Sequence, residues 1–193
     1  MSQIIYSSVP AWAHPGAAGR EPSAFAELAE SDGVTYLFVV VGGAAADAGG
    51  PALTIPGHVS SRLITGTDTD GVLAQLCDAL DESVVGVRVV LIGPVGACLR
   101  LRAAAVNAGV EDDEITVMPR GSGPVDVFCA HCRCITPAVA AADDIVKCAG
   151  CERNLVVYYH VSRRMGSYLG FMVDAEVLRP DTNKTHADQI GTG

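Results

Sequence analysis

The chain is short of basic residues and of charge in general. Lysine and arginine together number 13 against 22 aspartates and glutamates, so the formal net charge is −9. An acidic surface repels phosphate backbones, which disfavours nucleic-acid binding. Charged residues make up 18% of the 193 residues and hydrophobic residues 49%, a composition typical of a folded protein with a substantial core. We therefore expect protein partners or a small-molecule role.

Long apolar segments and a secretory signal are also missing. The longest apolar run, residues 34–46, is interrupted by Gly42 and Gly43 and is too short to span a membrane. Residues 1–13 lack the basic start and the apolar block of a signal peptide. We expect a cytoplasmic, reduced protein without membrane contact, a setting that disfavours disulfides among the seven cysteines.

Apolar segments alternate with helical patterns through the middle of the chain. The pattern predicts strands at residues 35–41, 62–65, 87–92 and 115–118, and helices at 70–80 and 97–108. Asp70 is the predicted N-cap of the first helix, and Gly109 closes the second. Strands that alternate with helices imply an α/β fold with a mostly parallel sheet, flanking helices and right-handed crossovers.

Four cysteines further along have the spacing of a metal site. Fifteen residues separate the pairs Cys129-x-x-Cys132 and Cys148-x-x-Cys151, which leaves room for one strand out and one strand back. Four thiolates around one Zn²⁺ form a closed tetrahedral site with no open position, so we expect structural zinc. The alternative of two local disulfides is disfavoured by the reduced compartment.

Iron in a rubredoxin-like site is the competing metal, and it would make the chain an electron carrier. Such sites usually have glycine after the second cysteine of each pair, where this chain has Arg133 and Glu152. The missing glycines therefore favour zinc. A fifth cysteine, Cys134, either replaces Cys132 as a ligand or is a free thiol.

These patterns divide the chain into four predicted segments. Proline and glycine are frequent at the start, and the end is polar. The second cysteine pair is followed by two alternating segments that predict a long β-hairpin. The segments are an N-terminal extension (1–33), an α/β domain (34–120), a small β-rich zinc ribbon with the hairpin (121–178) and a flexible tail (179–193).

Two glycine-containing turns follow predicted strands. Gly42-Gly43 ends the first strand, and Gly93-Pro94-Val95-Gly96 separates another from its helix. A helix N-terminus after a parallel strand is a natural anion site. Neither turn has the GxGxxG pattern, and Pro94 lacks an N–H donor. Phosphate binding and a tight turn without a ligand are both open interpretations.

Two adjacent arginines, Arg163 and Arg164, lie near the predicted hairpin turn. Paired arginines bind carboxylates and phosphates, or they pair with Asp174 and Glu176 inside the hairpin. Arginine and aromatic side chains dominate the energetics of protein interfaces. We predict a partner-facing surface formed by exposed Arg163, Arg164, Tyr168 and Phe171.

The cysteine pairs and the stretch HVSRRMGSYLGFMVDAE, residues 160–176, together resemble the DmmA-like subunit of bacterial dimethylamine monooxygenase. The resemblance implies a place in a multi-component, NADPH-dependent oxidoreductase that N-demethylates dimethylamine to methylamine and formaldehyde. It also implies that FMN, an iron–sulfur cluster, and haem or non-haem iron belong to the other subunits of the complex.

The middle region resembles, more loosely, the nicotinamide-binding domain of ferredoxin reductases. The order strand, Gly93-Pro94, helix, Gly109-Val110, strand carries this resemblance. That family often has cysteine before its Gly-Pro, where this chain has Ile92. The resemblance implies NADPH contacts at Gly42, Gly43, Gly93, Pro94 and Gly96.

The predicted function is a zinc-containing subunit that supports assembly or electron transfer in the monooxygenase complex. Its partners would be the other subunits, and the isolated chain would not be catalytic. The alternatives are a stand-alone zinc-ribbon adaptor for protein interactions and a rubredoxin-like iron electron carrier.

Overall fold

The computed structural model describes residues 8–14, 35–42 and 60–173 of the chain. These residues form a four-stranded sheet followed by a five-stranded sheet. No helix among them is both long and apolar enough to cross a bilayer. Gly43, Asp174, Glu176 and the predicted tail lie outside the described residues.

The first sheet is built from the apolar segments that the sequence predicts as strands. All neighbouring strands are parallel, in the order β2-β1-β3-β4. Strands covered on both faces need nearly continuous apolar sequence, and β1 and β3 have it. The predicted parallel sheet is confirmed. Its strands are β1 (Thr35–Val41), β2 (Ser61–Gly66), β3 (Val87–Gly93) and β4 (Ile115–Pro119).

Helices α1 (Thr69–Asp81) and α2 (Val95–Asn107) connect these strands. The predicted cap of α1 is wrong by two positions, because Asp68 Oδ2 accepts the N–H of Gly71 at 2.7 Å. Asp70 lies inside the first turn instead, where its carboxylate faces the positive end of the helix and pairs with Arg100. Gly109 follows α2 with φ +97°, the left-handed conformation expected after a helix end.

The second sheet has the order β6-β5-β9-β8-β7. The predicted hairpin is confirmed, since β8 and β9 are antiparallel neighbours. The strands out and back between the cysteine pairs are β6 and β7, and they lie at opposite edges of the sheet. The strands are β5 (Val125–Cys129), β6 (Ile135–Ala138), β7 (Ile145–Lys147), β8 (Asn154–Val161) and β9 (Tyr168–Met172).

Helix α2 contributes to the cores of both sheets. Cys98 and Leu101 are buried in the core of the first sheet, and Leu99 is buried in the core of the second. A helix that is apolar around most of its circumference is expected to be buried on more than one side. Trp12, in a short 3-10 helix at Ala11–Ala13, also packs against both cores.

Two glycines allow close backbone contact between the two halves of the structure, which are the first sheet with helices α1 and α2 and the second sheet. A Cβ on Gly96 of α2 would lie 2.0 Å from the carbonyl oxygen of Pro124. A Cβ on Gly166, in the turn before β9, would lie 2.5 Å from the carbonyl oxygen of Leu99. Any side chain at either position would push the two halves apart. The domain boundary near residue 120 stays a prediction.

Candidate metal centre

Each cysteine pair lies at the tip of a β-hairpin. The first pair is in the turn from β5 to β6, and the second is in the turn from β7 to β8; both strand pairs are antiparallel. Strand β9 pairs with β5 on one side and with β8 on the other, which holds the two hairpins in one sheet. The tertiary pairing of β9 therefore sets the distance between the cysteine pairs.

The two turns have the same backbone hydrogen bonds. In the first, Cys129 N–H donates to Cys134 O at 2.9 Å and Arg133 N–H donates to Cys129 O at 2.8 Å. The second turn repeats this pattern at 2.9 and 3.0 Å, from Cys148 N–H to Arg153 O and from Glu152 N–H to Cys148 O. The fold therefore presents both cysteine pairs in equivalent loops.

The residue after the second cysteine of each pair has a left-handed backbone. Arg133 has φ +64° and Glu152 has φ +59°. Glycine adopts this conformation most easily, and other residues do so at a cost. The turn that glycine usually forms in rubredoxin-like sites is thus present without glycine. The missing glycines therefore give no geometric reason to prefer zinc over iron.

The four thiols converge on one point. All four Sγ atoms lie within 4.8 Å of one another, with 3.8 Å between Cys129 and Cys151 and 3.5 Å between Cys132 and Cys148. A disulfide needs about 2 Å between sulfurs. Metal–sulfur bonds of about 2.3 Å in a tetrahedron put the sulfurs about 3.8 Å apart. The donor set fits a single tetrahedral metal ion, and zinc and iron both suit four sulfurs.

Backbone hydrogen bonds lower the pKa of both Cys132 and Cys148, whereas hydrogen bonds to the other thiols raise the pKa of Cys132 and lower that of Cys148. The N–H of Cys151 is the main cause that lowers the pKa of Cys148, to about 6. The N–H of Cys134 lowers the pKa of Cys132, but desolvation and hydrogen bonds with the other thiols outweigh it and raise that pKa to about 12. Several thiolates this close repel one another, and a bound cation would offset that repulsion.

Sequence reasoning missed two residues that join the hairpin tips. A Cβ on Gly150 would lie 2.7 Å from Cys134 Cβ and 3.2 Å from Cys132 Sγ. Thr136 Oγ1 accepts the N–H of Ala149 at 3.0 Å. The glycine inside the second CxxC was the available signal for close packing. Cys134 lies beside the four-thiol cluster but is not part of it.

The glycine turns lie at the carboxyl ends of β1 and β3, which are neighbouring strands. Gly42 has φ +83°, and no atom of the described residues lies within 4 Å of its Cβ position; Gly93 packs closely on Val41. The chain leaves β1 toward β2 and leaves β3 toward β4, so the strand order reverses between them. Gly96, one helical turn away from this edge, is explained by its contact with Pro124.

The predicted partner-facing residues do not form one exposed surface. Tyr168 is only 4% exposed and lies in the second core, because β9 is a central strand with neighbours on both sides. Its predicted exposure is wrong. Phe171 is 45% exposed, and both arginines are exposed. Arg163 pairs with Asp112, which lies before β4.

Comparison with known proteins identifies the cysteine-containing region. Residues 126–171 match the family model described as the C-terminal domain of the DmmA-like subunit of dimethylamine monooxygenase. The delta subunit of the heme-dependent oxidative N-demethylase of Ectopseudomonas mendocina (strain ymp) is 37% identical over 101 residues, which are 52% of this chain and 57% of that protein. The chain thus spans little more than half the length of this relative. No solved structure matches the chain significantly. The four-cysteine region matches the model of the DmmA-like C-terminal domain family, and the resemblance to the DmmA-like subunit that the cysteine pairs indicated is confirmed.

Proposed function

We propose that this chain is a subunit of a multi-component, NADPH-dependent dimethylamine monooxygenase that releases methylamine and formaldehyde. In this proposal the chain supports assembly of the complex or electron transfer within it, and does not carry out the reaction alone. FMN, an iron–sulfur cluster and haem or non-haem iron belong to the other subunits. The observation that carries the proposal is the DmmA-like domain at residues 126–171.

Zinc is the proposed ion at the four cysteines. Cys129, Cys132, Cys148 and Cys151 would hold it through their thiolates. Four protein ligands leave no position for water or substrate, so the ion would supply cross-linking and no chemistry. The clustered cysteines join the two hairpin tips, and the exposed Phe171 on β9 lies in the same sheet. The metal would thereby fix the shape of the surface that meets the partner.

Reconstitution tests the assembly role. A tagged full-length chain is coexpressed with the haem- and flavin-containing subunits and purified through the tag. We expect a complex with haem absorption that releases formaldehyde from dimethylamine and NADPH. Elution of the tagged chain alone, together with full activity of the other subunits in its absence, would contradict the role.

A matched pair of variants locates the contact surface. Phe171→Ser removes a 45% exposed aromatic from β9, and we expect it to weaken the complex by about tenfold or more. Val85→Ser removes a 98% exposed apolar side chain from the turn before β3, and we expect no change. Equal affinity of the two variants for the other subunits would show that the interface does not include Phe171.

NADPH binding by this chain is a second candidate function. It is supported by the reversal of strand order between β1 and β3, because ligands of open α/β sheets bind outside the carboxyl ends of strands at such a point. Gly42, Gly93 and Pro94 lie at this edge. Titration of the purified chain with NADPH tests it, and absence of binding at about 1 mM would exclude it.

A further inference from the structure

A cleft of about 710 Å³ opens at the junction of the two halves. The N-terminal segment at residues 8–14, helix α2 and the turn after β8 form its walls. Three guanidinium groups line it, one from the helix and two from the turn: those of Arg102, Arg163 and Arg164. This is a local concentration of positive charge on a chain with a net charge of −9.

One carboxylate is shared between two of these arginines. Arg102 Nη2 lies 2.5 Å from Asp112 Oδ1, and Arg163 Nη2 lies 2.8 Å from Asp112 Oδ2. A single negative charge cannot neutralise two guanidinium groups. The side chain of Arg102 is only 14% exposed, so its charge is screened less by solvent than that of a surface arginine.

The third arginine, Arg164, is held by its backbone, and none of the described carboxylates pairs with its side chain. Asn107 Nδ2 donates to the carbonyl oxygen of Arg164 at 2.9 Å, which fixes the turn against α2. Within the described part of the chain, the guanidinium of Arg164 contacts Asn107 Oδ1 at 3.4 Å and no carboxylate. Among the described residues, its N–H groups therefore have no charged partner and can donate to an anion.

A hydroxyl and an imidazole complete the lining of the cleft. Ser8 Oγ lies 2.9 Å from His160 Nδ1 and accepts the N–H of Val161 at 3.0 Å. This pair ties the N-terminal segment to β8, and both side chains line the same cleft as the arginines. Concave sites with a few converging polar groups are typical of small-molecule binding, in contrast to flat protein interfaces.

We propose that this cleft binds a small phosphorylated molecule, with Arg163 and Arg164 as the principal ligands of its phosphate groups. Guanidinium groups donate paired N–H bonds that match phosphate oxygens. Among the described residues, the three guanidinium groups carry two positive charges in excess of Asp112, which favours a ligand with at least two negative charges. The site is separate from the four cysteines and from the strand edge at Gly42, and it does not depend on the assembly role.

Inorganic pyrophosphate is the probe for this site. Calorimetric titration of the metal-loaded full chain at low ionic strength should give a Kd of about 1 mM or tighter, and binding should weaken as salt is added. Absence of pyrophosphate binding would overturn the proposal.

Charge-matched variants test whether pyrophosphate binding depends on the cleft or only on the net charge of the chain. Arg164→Gln should weaken pyrophosphate binding about tenfold or more, and Arg164→Lys should lose less. Arg62→Gln removes the same charge from β2, where Arg62 pairs with Glu82, and should leave binding unchanged. Arg163→Gln should weaken pyrophosphate binding as much as Arg164→Gln does. If loss of the ion pair between Arg163 and Asp112 prevents folding, the binding measured for Arg164→Gln alone tests the site. Equal effects of Arg164→Gln and Arg62→Gln would contradict the site.

Discussion

The two sheets of this molecule are stabilised in different ways. The first has two strands of seven residues, β1 and β3, whose side chains are almost all buried, and helices pack against it. The second has edge strands of four and three residues with exposed Ile135 and Ile145. Its core includes Cys129 and Cys148 among its buried members. A metal cross-link at the thiol cluster would add stability to this sheet, whose edge strands are short.

Among the predicted substitutions, removal of a metal ligand should change the stability of the second sheet relative to the first the most. Cys148→Ser should abolish metal binding and unfold the second sheet, at a cost of at least about 4 kcal/mol, because metal affinity here is folding free energy. Hydrogen exchange should show lost protection in β5–β9 and retained protection in β1 and β3. Metal content and thermal melting are measured in parallel.

Cys77→Ser is the control for that variant. Cys77 is half-buried on α1 and lies outside the cluster, so its replacement should leave the metal content unchanged. Cys134→Ser should also keep the metal, since its thiol is not among the four that converge. An unchanged melting curve and metal content in Cys148→Ser would show that the ligand assignment is wrong.

A substitution at the junction should affect both sheets together. Gly96→Ala would put a Cβ 2.0 Å from Pro124 O, a backbone atom that cannot move aside easily, and should destabilise the chain by about 2–3 kcal/mol. Gly71→Ala on α1 meets only the flexible Asp68 carboxylate at 3.2 Å and should be neutral or slightly stabilising. Denaturant unfolding measures both. If Gly96→Ala is as mild as Gly71→Ala, the halves are not in close contact.

The smallest expected effect is an increase in stability. Arg133→Gly removes the Cβ that makes the left-handed backbone conformation costly at this position. It should stabilise the second sheet by about 1 kcal/mol. Arg153→Gly, at a position without positive φ, should instead lose about 0.5–1 kcal/mol. The midpoints of denaturant unfolding compare the two. A loss of stability in both variants would contradict the assigned turn geometry.

The sequence predicts local features of this chain better than long-range ones. Strands β1 and β3 follow from continuous apolar runs, and the thiol cluster follows from cysteine spacing. Tyr168 was assigned to the surface because nothing in the sequence indicates that β9 inserts between β5 and β8. The left-handed turns at Arg133 and Glu152 do not follow from residue type, because the backbone hydrogen bonds of each loop impose there a conformation that glycine adopts more easily. The N-cap of α1 at Asp68 is a local error, whereas the burial of Tyr168 depends on contacts between distant segments.

The most direct test of a metal-stabilised second sheet is the metal content of the purified full-length chain, measured by mass spectrometry alongside its visible absorption spectrum. We expect a colourless protein with one zinc per chain, whose second sheet loses exchange protection when a chelator removes the zinc. A metal-free chain with β5–β9 still protected would contradict it, and bound iron with visible absorption would favour an electron carrier in place of a structural site.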